Sequence, residues 1–516
     1  LGAIRGVGRV YLICLQLERL FVNLSLQVID RSLCKIFLLP SSFFLLIDNF
    51  EDKLMVFAAR SLNFDFDLIQ KYDNPVPRYT SYPPATQFSN DLSETEYRWA
   101  IAESNERQTP LSLYFHIPFC QTACYFCGCN VIVTNNKNMP ETYLEYLHRD
   151  IDRKASLIDC DRPVLQLHWG GGTPNYLNLH QTEKLWEKIT QHFKFDSNAE
   201  ISIEVNPRFL TQEYIFFIKS LGFNRISFGI QDFNEEVQHA VNRVQPEAML
   251  FQAMEWIKTA GFESVNVDLI YGLPYQTLHS FQKTIDKTIE LDPDRIAVFN
   301  FAYVPWMKPV QKNINASTLP NTHDKLEILQ MTVDRLSNRG GYLFIGMDHF
   351  AKPEDELSIA QRDRTLKRNF QGYTTKPDTE LFSFGVTSIG MLQDMYVQNH
   401  RGLKDYYQAI DRGVLPINLG VKLHRDDIIR RDIIMQIMSN FMLEKAEIEA
   451  KYHLNFDGYF DRELAVLKLL ENDGLVRVTP DWIEVTSIGR LLVRNIAVVF
   501  DTYATSRCNE KLSKAI

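Results

Sequence analysis

From residue 111 onward, short apolar runs rich in β-branched and aromatic residues alternate with longer stretches whose apolar positions recur at helical spacing. Leu111–His116, Val164–His168, Ile201–Val205, Arg225–Ile230, Val265–Ile270, Ile296–Phe301 and Tyr342–Gly346 read as strands. Pro140–Ile158, Gln181–Phe193, Glu247–Ala260, Leu278–Glu290 and His323–Arg339 read as helices. Several helical stretches open near Thr, Asn or His and close near Gly, as at Leu221-Gly222 and Ala260-Gly261, in keeping with capping chemistry. Parallel neighbours need a crossover connection, so the alternation implies a parallel sheet with helices outside it. Six or seven such units predict an α/β fold, a complete or partial parallel (β/α) barrel, rather than a doubly wound sheet.

The rhythm changes near residue 425. Residues 427–452 and 458–472 read as helices, and Leu475–Val478 with Ile483–Val485 as a hairpin across Thr479-Pro480-Asp481-Trp482. That order resembles a winged helix, which would suit a DNA-binding regulator. The charge argues otherwise: residues 425–516 hold 13 Lys and Arg against 15 Asp and Glu, net −2, a poor endowment for phosphate contacts. The expected organisation is an atypical extension over 1–54, an arm over 55–110, a barrel over 111–390 and a smaller winged-helix-like domain over 391–516.

Residues 1–54 show neither a clean helical period nor strand alternation. Their longest uncharged run, Ile36–Ile47, is twelve residues long and broken by Pro40, whereas a membrane span needs about 18. Three readings compete: an organelle-targeting segment, an added helical segment, and read-through upstream of a start at Met55. The first has support in three arginines and a single acid, Glu18, over residues 1–29, but the stretch is Ser-poor. Read-through is favoured, which leaves a cytoplasmic protein without a membrane span.

Composition narrows the class. Hydrophobic residues at 45% and charged residues at 23% are ordinary for a globular chain. A net charge of −9 argues against a nucleic-acid surface covering the whole molecule. Eight cysteines in 516 residues are too few for a disulfide scaffold. Cys14, Cys34, Cys160 and Cys508 are scattered, but Cys120, Cys124, Cys127 and Cys129 fall within ten residues, a cluster that reads as metal ligation in a reducing compartment. It follows the first strand, and so lies where barrel enzymes keep their active sites. Three thiolates at Cys-x3-Cys-x2-Cys spacing suit one cuboidal iron–sulfur cluster, which usually takes four cysteines. Whether Cys129 is the fourth stays open. If three ligate, one iron is left to bind a small molecule. A structural zinc site is the bland alternative, but zinc favours two ligand pairs separated by a longer stretch.

Cys-x3-Cys-x2-Cys with Phe126 just before its third cysteine resembles the radical S-adenosylmethionine (SAM) superfamily. The likeness extends to Pro77–Pro83, His168–Pro174, Phe228–Asn234, Val241–Pro246, Asp268–Pro274 and Arg368–Thr375, all similar to the oxygen-independent coproporphyrinogen III oxidase family, over about residues 60–510. The resemblance implies a [4Fe-4S] cluster on Cys120, Cys124 and Cys127, and two SAM molecules. Tyr114, Gly171, Glu204 and Ile389 would contact the cluster-bound SAM, and Phe126, Gly172, Thr173, Gln231, Arg243, Asp268 and Ala302 would surround the second. Arg78 and Gln371 lie in family-like segments and are candidate substrate contacts, with the arm contributing to the substrate site. His116 and His168, in strands, read as satisfied core residues.

The implied reaction starts with one electron passing to SAM and cleaving it to methionine and a 5′-deoxyadenosyl radical. The radical takes hydrogen from a propionate β-carbon of coproporphyrinogen III, carbon dioxide leaves, and an acceptor collects an electron. Two such rounds give protoporphyrinogen IX. A low-potential electron donor and a final acceptor are implied partners, with no nucleic acid and a monomeric chain. The cofactor carries the hard step, so no Ser/His/Asp arrangement is needed. A haem-binding chaperone on the same scaffold is the rival; Cys129 and Arg368–Thr375 resemble the oxidase instead.

Overall fold

The computed structural model describes residues 62–376 and 378–504; the readings of residues 1–54 and of Cys14, Cys34 and Cys508 fall outside them. Six strands follow the expected alternation and lie side by side in parallel: β1 (Leu111–Ile117), β2 (Val164–Gly171), β3 (Phe195–Val205), β4 (Arg225–Gln231), β5 (Ser264–Tyr271) and β6 (Arg295–Asn300). Helices Asn138–Ala155, Leu179–His192, Gln212–Ser220, Glu247–Ala260 and Leu278–Leu291 make the crossovers. A sheet covered on both faces needs near-continuous apolar strands. In β1 every residue but Tyr114 is buried. Capping residues close the helices as expected: Asn178 and Thr277 form capping boxes, and Gly261 ends its helix at φ 78°.

The seventh strand departs from the expectation. β7 (Leu343–Gly346) is not another parallel member; it turns back onto β8 (His349–Ala351), which runs antiparallel to β6. Gly346 and Met347 both take positive φ, 139° and 54°, and this tight reversal makes a hairpin where a crossover was expected. On the far side of β1, the fully buried β9 (Glu380–Phe384) lies parallel to it, with Leu111 opposite Glu380 and Phe115 opposite Phe384. An antiparallel meander follows: β10 (Ile389–Leu392), β11 (Met395–Asn399) and β12 (Ile417–Lys422). The order β12-β11-β10-β9-β1-β2-β3-β4-β5-β6-β8-β7 leaves both edges unjoined, so the barrel is partial. The sheet runs past the boundary drawn at 391 to Lys422.

Beyond it, residues 427–452 are not one helix. Arg425–Asn440 stops at Phe441, which takes φ 56°; Met442–Glu444 is a strand, and the helix resumes over Lys445–Tyr452. That strand pairs with Trp482–Val485, which also pairs with Val476–Val478, making a three-stranded wing. Leu443 and Ile483 are fully buried by the pairing, and this burial outweighs the helical periodicity around them. The arm is tied to this module: Tyr79 Oη donates to Asp501 at 3.0 Å, Arg494 Nε to the Pro77 carbonyl at 3.0 Å, and Asn495 Nδ2 to the Tyr72 carbonyl at 2.8 Å. Among the described residues no helix is long and apolar enough to cross a membrane.

A buried polar network fastens β9 to the rest. Lys154 Nζ donates to the Ser383 carbonyl at 2.6 Å and lies 3.3 Å from Asp150, both side chains almost wholly out of solvent. Asp150 also accepts from Gly385 N at 3.0 Å and Tyr406 Oη at 2.9 Å. Burial pulls the Lys154 ammonium pKa down, against the opposing Asp150 charge. Removing one partner strands the other charge, so Lys154→Met is expected to cost about 3–5 kcal/mol in chemical denaturation. Adding Asp150→Asn should recover part of that loss; a single variant as stable as the parent would contradict the assignment.

Candidate functional site

β1 ends at Ile117, and the chain enters the cysteine loop. Phe119–Cys120 pairs in parallel with Ile132–Val133, closing the loop on itself. Asn242 Nδ2 donates to the Ala123 carbonyl at 2.7 Å and Tyr125 N to the Val241 carbonyl at 2.9 Å, docking the loop on the turn beyond β4. Cys120 Sγ lies 3.4 Å from Thr173 Oγ1. Cys124 Sγ accepts from Arg243 Nη1 at 3.5 Å and Arg208 Nη2 at 3.6 Å. Burial pushes the Cys120 thiol up to about 11. The hydrogen bond from Cys129 brings Cys127 down to about 6, while Cys129, the donor, is pushed up. Three soft sulfur donors in one loop, with two guanidiniums beside the central one, suit an anionic iron–sulfur cluster. Cys160 lies apart, donating weakly to the Ala155 and Ile158 carbonyls.

The next strands bring their C-terminal ends to the same mouth. Glu204, one residue from the end of β3, accepts from Gly171 N at 3.2 Å and contacts His168 Nε2 at 3.3 Å. Its side chain lies deep in the molecule yet keeps 45% of its surface accessible, so it faces an internal space rather than packed atoms. Burial pushes Glu204 up, but His168 and Gly171 N outweigh it and the carboxyl stays below its usual range. Gly171 has φ 116°, and a Cβ there would come within 2.6 Å of the His116 ring; only glycine fits. The Tyr114 ring stacks on His168 at 5.9 Å, and its hydroxyl meets His116 Nδ1 at 3.0 Å.

The residues expected around a second SAM gather on the adjoining side. Gly172 N donates to the Ile117 carbonyl at 2.8 Å, and a Cβ would strike the Pro118 carbonyl oxygen at 2.7 Å. Thr173 is buried against Cys120, and Phe126 packs on the small core of Val237, Val241, Leu273, Phe301 and Ile314. Gln231 closes β4 at φ 70°, and Arg243 Nη2 donates to the Gly229 carbonyl at 2.7 Å. Gln231 Oε1 and Arg243 Nε are buried with no partner among the described residues, as befits groups kept for a polar ligand. Asp268 sits three residues inside β5, not at its end, and accepts from Asn266 Nδ2 at 2.9 Å. The Ala302 carbonyl, just past β6, accepts from Gln311 Nε2 at 3.1 Å.

Ile389 begins β10, two strands from β1. Arg78 is ion-paired with Asp348, and Gln371 sits at the turn of the hairpin Lys367–Asn369/Gly372–Thr374 with its Nε2 buried and unpartnered. His116 is buried and satisfied as expected: burial brings it down to about 4, and its ring meets Tyr114 Oη and, at 3.1 Å, the Asn130 carbonyl at the foot of the cysteine loop. Sequence reasoning missed two positions. His168 is not mere core but the partner of Glu204. Arg208, on Cys124, had no motif to mark it. His168 did carry a signal: it alternates with Gly170 on a strand flanking the loop.

Asp268 couples stability to pH. Burial, then the nearby Glu204 charge, push its carboxyl up to about 7 against Asn266 and Arg243. The folded state therefore binds this proton more tightly than the unfolded chain does, and the group's contribution to stability falls as pH rises from about 4 to about 7. Asp268→Asn should flatten that part of the melting temperature–pH curve; an unchanged slope would contradict it.

Two family matches agree with this geometry: the radical SAM superfamily over residues 114–288 and the HemN C-terminal domain over 423–492. The oxygen-independent coproporphyrinogen III oxidase of Synechocystis sp. is 56% identical over 461 residues, covering 88% of this chain and 99% of that protein. The Escherichia coli protein of the same name is 47% identical over 460 residues, 89% of this chain and 100% of its own. The solved structure of coproporphyrinogen III oxidase (HemN) from Escherichia coli, described as a radical SAM enzyme, superposes with a TM-score of 0.82 over 86% of this chain and 99% of that one. With the cysteine loop, the carboxylates of Glu204 and Asp268 and these likenesses together, the chain belongs to the oxygen-independent coproporphyrinogen III oxidase family of radical SAM enzymes.

Proposed function

We propose that this chain oxidatively decarboxylates two propionates of coproporphyrinogen III to vinyl groups without oxygen, giving protoporphyrinogen IX. The observation that carries the reading is the loop of Cys120, Cys124 and Cys127 opening onto the mouth that Glu204 and Asp268 line. Cys120, Cys124 and Cys127 would hold a [4Fe-4S] cluster. Tyr114, Gly171, Glu204 and Ile389 would seat one SAM, and Phe126, Gly172, Thr173, Gln231, Arg243, Asp268 and Ala302 a second. When bound, cluster and SAM supply one-electron cleavage of a sulfonium bond and a radical able to take hydrogen from unactivated carbon.

The protein's own residues place and shield. Glu204, held ionised by His168 and Gly171 N, offers a carboxylate to a cationic or hydroxyl-bearing ligand. Arg243 bridges the Cys124 sulfur and the Gly229 carbonyl, coupling the cysteine loop to the end of β4. Arg78 and Gln371 are assigned to the substrate, with the arm completing its site. The C-terminal module, tied to the arm through Arg494 and Asn495, is assigned to covering the mouth and keeping water from a reactive site. The reading takes the chain as a cytoplasmic monomer that draws electrons from a low-potential donor and yields them to a separate acceptor.

Anaerobic incubation of the reconstituted protein with coproporphyrinogen III, SAM and a reductant, followed by product analysis, tests the assignment. Divinyl product with methionine and 5′-deoxyadenosine is expected; haem binding without vinyl product would favour a chaperone instead. Serine at Cys120, Cys124 or Cys127 should abolish the brown absorbance and reduce turnover below about a thousandth of the parent's. Cys129→Ser should retain iron, and loss of iron there would make Cys129 a fourth ligand.

A further inference from the structure

We propose that Arg368, backed by Arg78 and Arg494, anchors a carboxylate of the substrate that is not consumed in the reaction. The inference rests on the reading above that the substrate is a tetracarboxylate porphyrinogen, and it names the groups that receive part of that charge.

Arg368 lies on the strand Lys367–Asn369 and is only 6% exposed. Its guanidinium is held over the Tyr373 ring at 4.8 Å; that ring meets His349 edge-on at 5.3 Å, and Tyr373 Oη donates to the Met438 carbonyl at 3.2 Å. The guanidinium is thus fixed in place, yet its Nε and Nη1 are buried with no hydrogen-bond partner among the described residues. Gln371 Nε2 and Thr375 Oγ1, on the same hairpin segment, are buried and unpartnered as well. Native interiors rarely leave so many polar groups idle on one segment.

Charge makes the same point. Arg78 is paired with Asp348, and Arg494 donates to the Val76 and Pro77 carbonyls. Arg494 feels both Arg78 and Arg368, so the three guanidiniums share one region, where the Asp348 charge acts as well. Burial first, and then the Arg78 charge, bring Arg494 down to about 10, as crowded cations should. The nearby Asp501 is engaged by Tyr79 Oη, and His349 is kept neutral by burial. Arg78 already has Asp348, whereas Arg368 is buried with no carboxylate partner among the described residues, a costly arrangement unless an anion joins it.

The place suits the substrate. Tyr271, the last residue of β5, feels both Asp348 and Arg78, and His349 meets Phe299 of β6 at 6.0 Å. The cluster therefore sits at the C-terminal ends of β5 and β6, on the mouth where the cysteine loop opens. An ion pair with a reacting propionate would vanish as carbon dioxide leaves, stabilising the ground state over the transition state. An anchor on a retained carboxylate avoids that loss and serves both rounds.

The test uses the reconstituted holoenzyme under anaerobic conditions, titrated with coproporphyrin III and with its tetramethyl ester. The parent should bind the free acid about tenfold or more tightly than the ester, a preference consistent with charged hydrogen bonds. Arg368→Gln should lose most of that preference and raise the KM for coproporphyrinogen III about tenfold while kcat falls much less, and Arg368→Lys should recover part of both. Iron content and melting temperature identify folded variants; should Arg368→Gln not fold, the parent's acid-to-ester ratio and the Lys variant decide. A parent that turns over coproporphyrinogen III beside an Arg368→Gln protein with the parental ratio and KM would overturn this inference alone. A parent that yields no vinyl product would sink the underlying reading and this anchor with it.

Discussion

Parallel pairing of β1 between β2 and β9 is the constraint on which the site depends. Because β2 runs the same way as β1, the cysteine loop leaving β1 and the glycine turn leaving β2 emerge side by side, and Thr173 comes to lie on Cys120. Because β9 also runs that way, the segment after it returns to the same edge and leads directly into Ile389. The buried Lys154–Asp150 network holds β9 there. An antiparallel neighbour on either side would send its following turn to the opposite end of the sheet.

Within the mouth, the side chains divide by charge. The sulfurs meet arginines, Arg243 and Arg208; Glu204 is kept ionised by its neighbours; Asp268, three residues inside β5, is held near neutrality by burial and by Glu204 itself. The two neighbouring carboxyls therefore differ in charge, Glu204 ionised and Asp268 readily protonated. Beyond them, Arg368 lies over the Tyr373 ring and Arg78 pairs with Asp348, so positive charge gathers there.

The parallel core was legible because strands buried on both faces read as apolar runs and turns between them carry Gly, Asn and Pro. The cysteine spacing made the loop legible for a chemical reason, since few other sites need three thiols so close together. What stayed hidden is long-range or conformational. Nothing local in Glu380–Phe384 says that it returns to β1 after more than two hundred residues. Phe441 breaks a helix at positive φ with neither Gly nor Pro to announce it, because burial of Leu443 against Ile483 decides the matter. His168 looked like core because its role lies in a partner, Glu204, on the next strand. Arg368 stood in a family-like segment, but only the burial of its unpartnered nitrogens distinguishes it from a solvated charge.

The most direct test of the account is Mössbauer spectroscopy of the anaerobically reconstituted protein with and without SAM. The account predicts one [4Fe-4S] cluster per chain in which a single iron changes its isomer shift when SAM is added. Zinc in place of iron, or four irons indifferent to SAM, would contradict it.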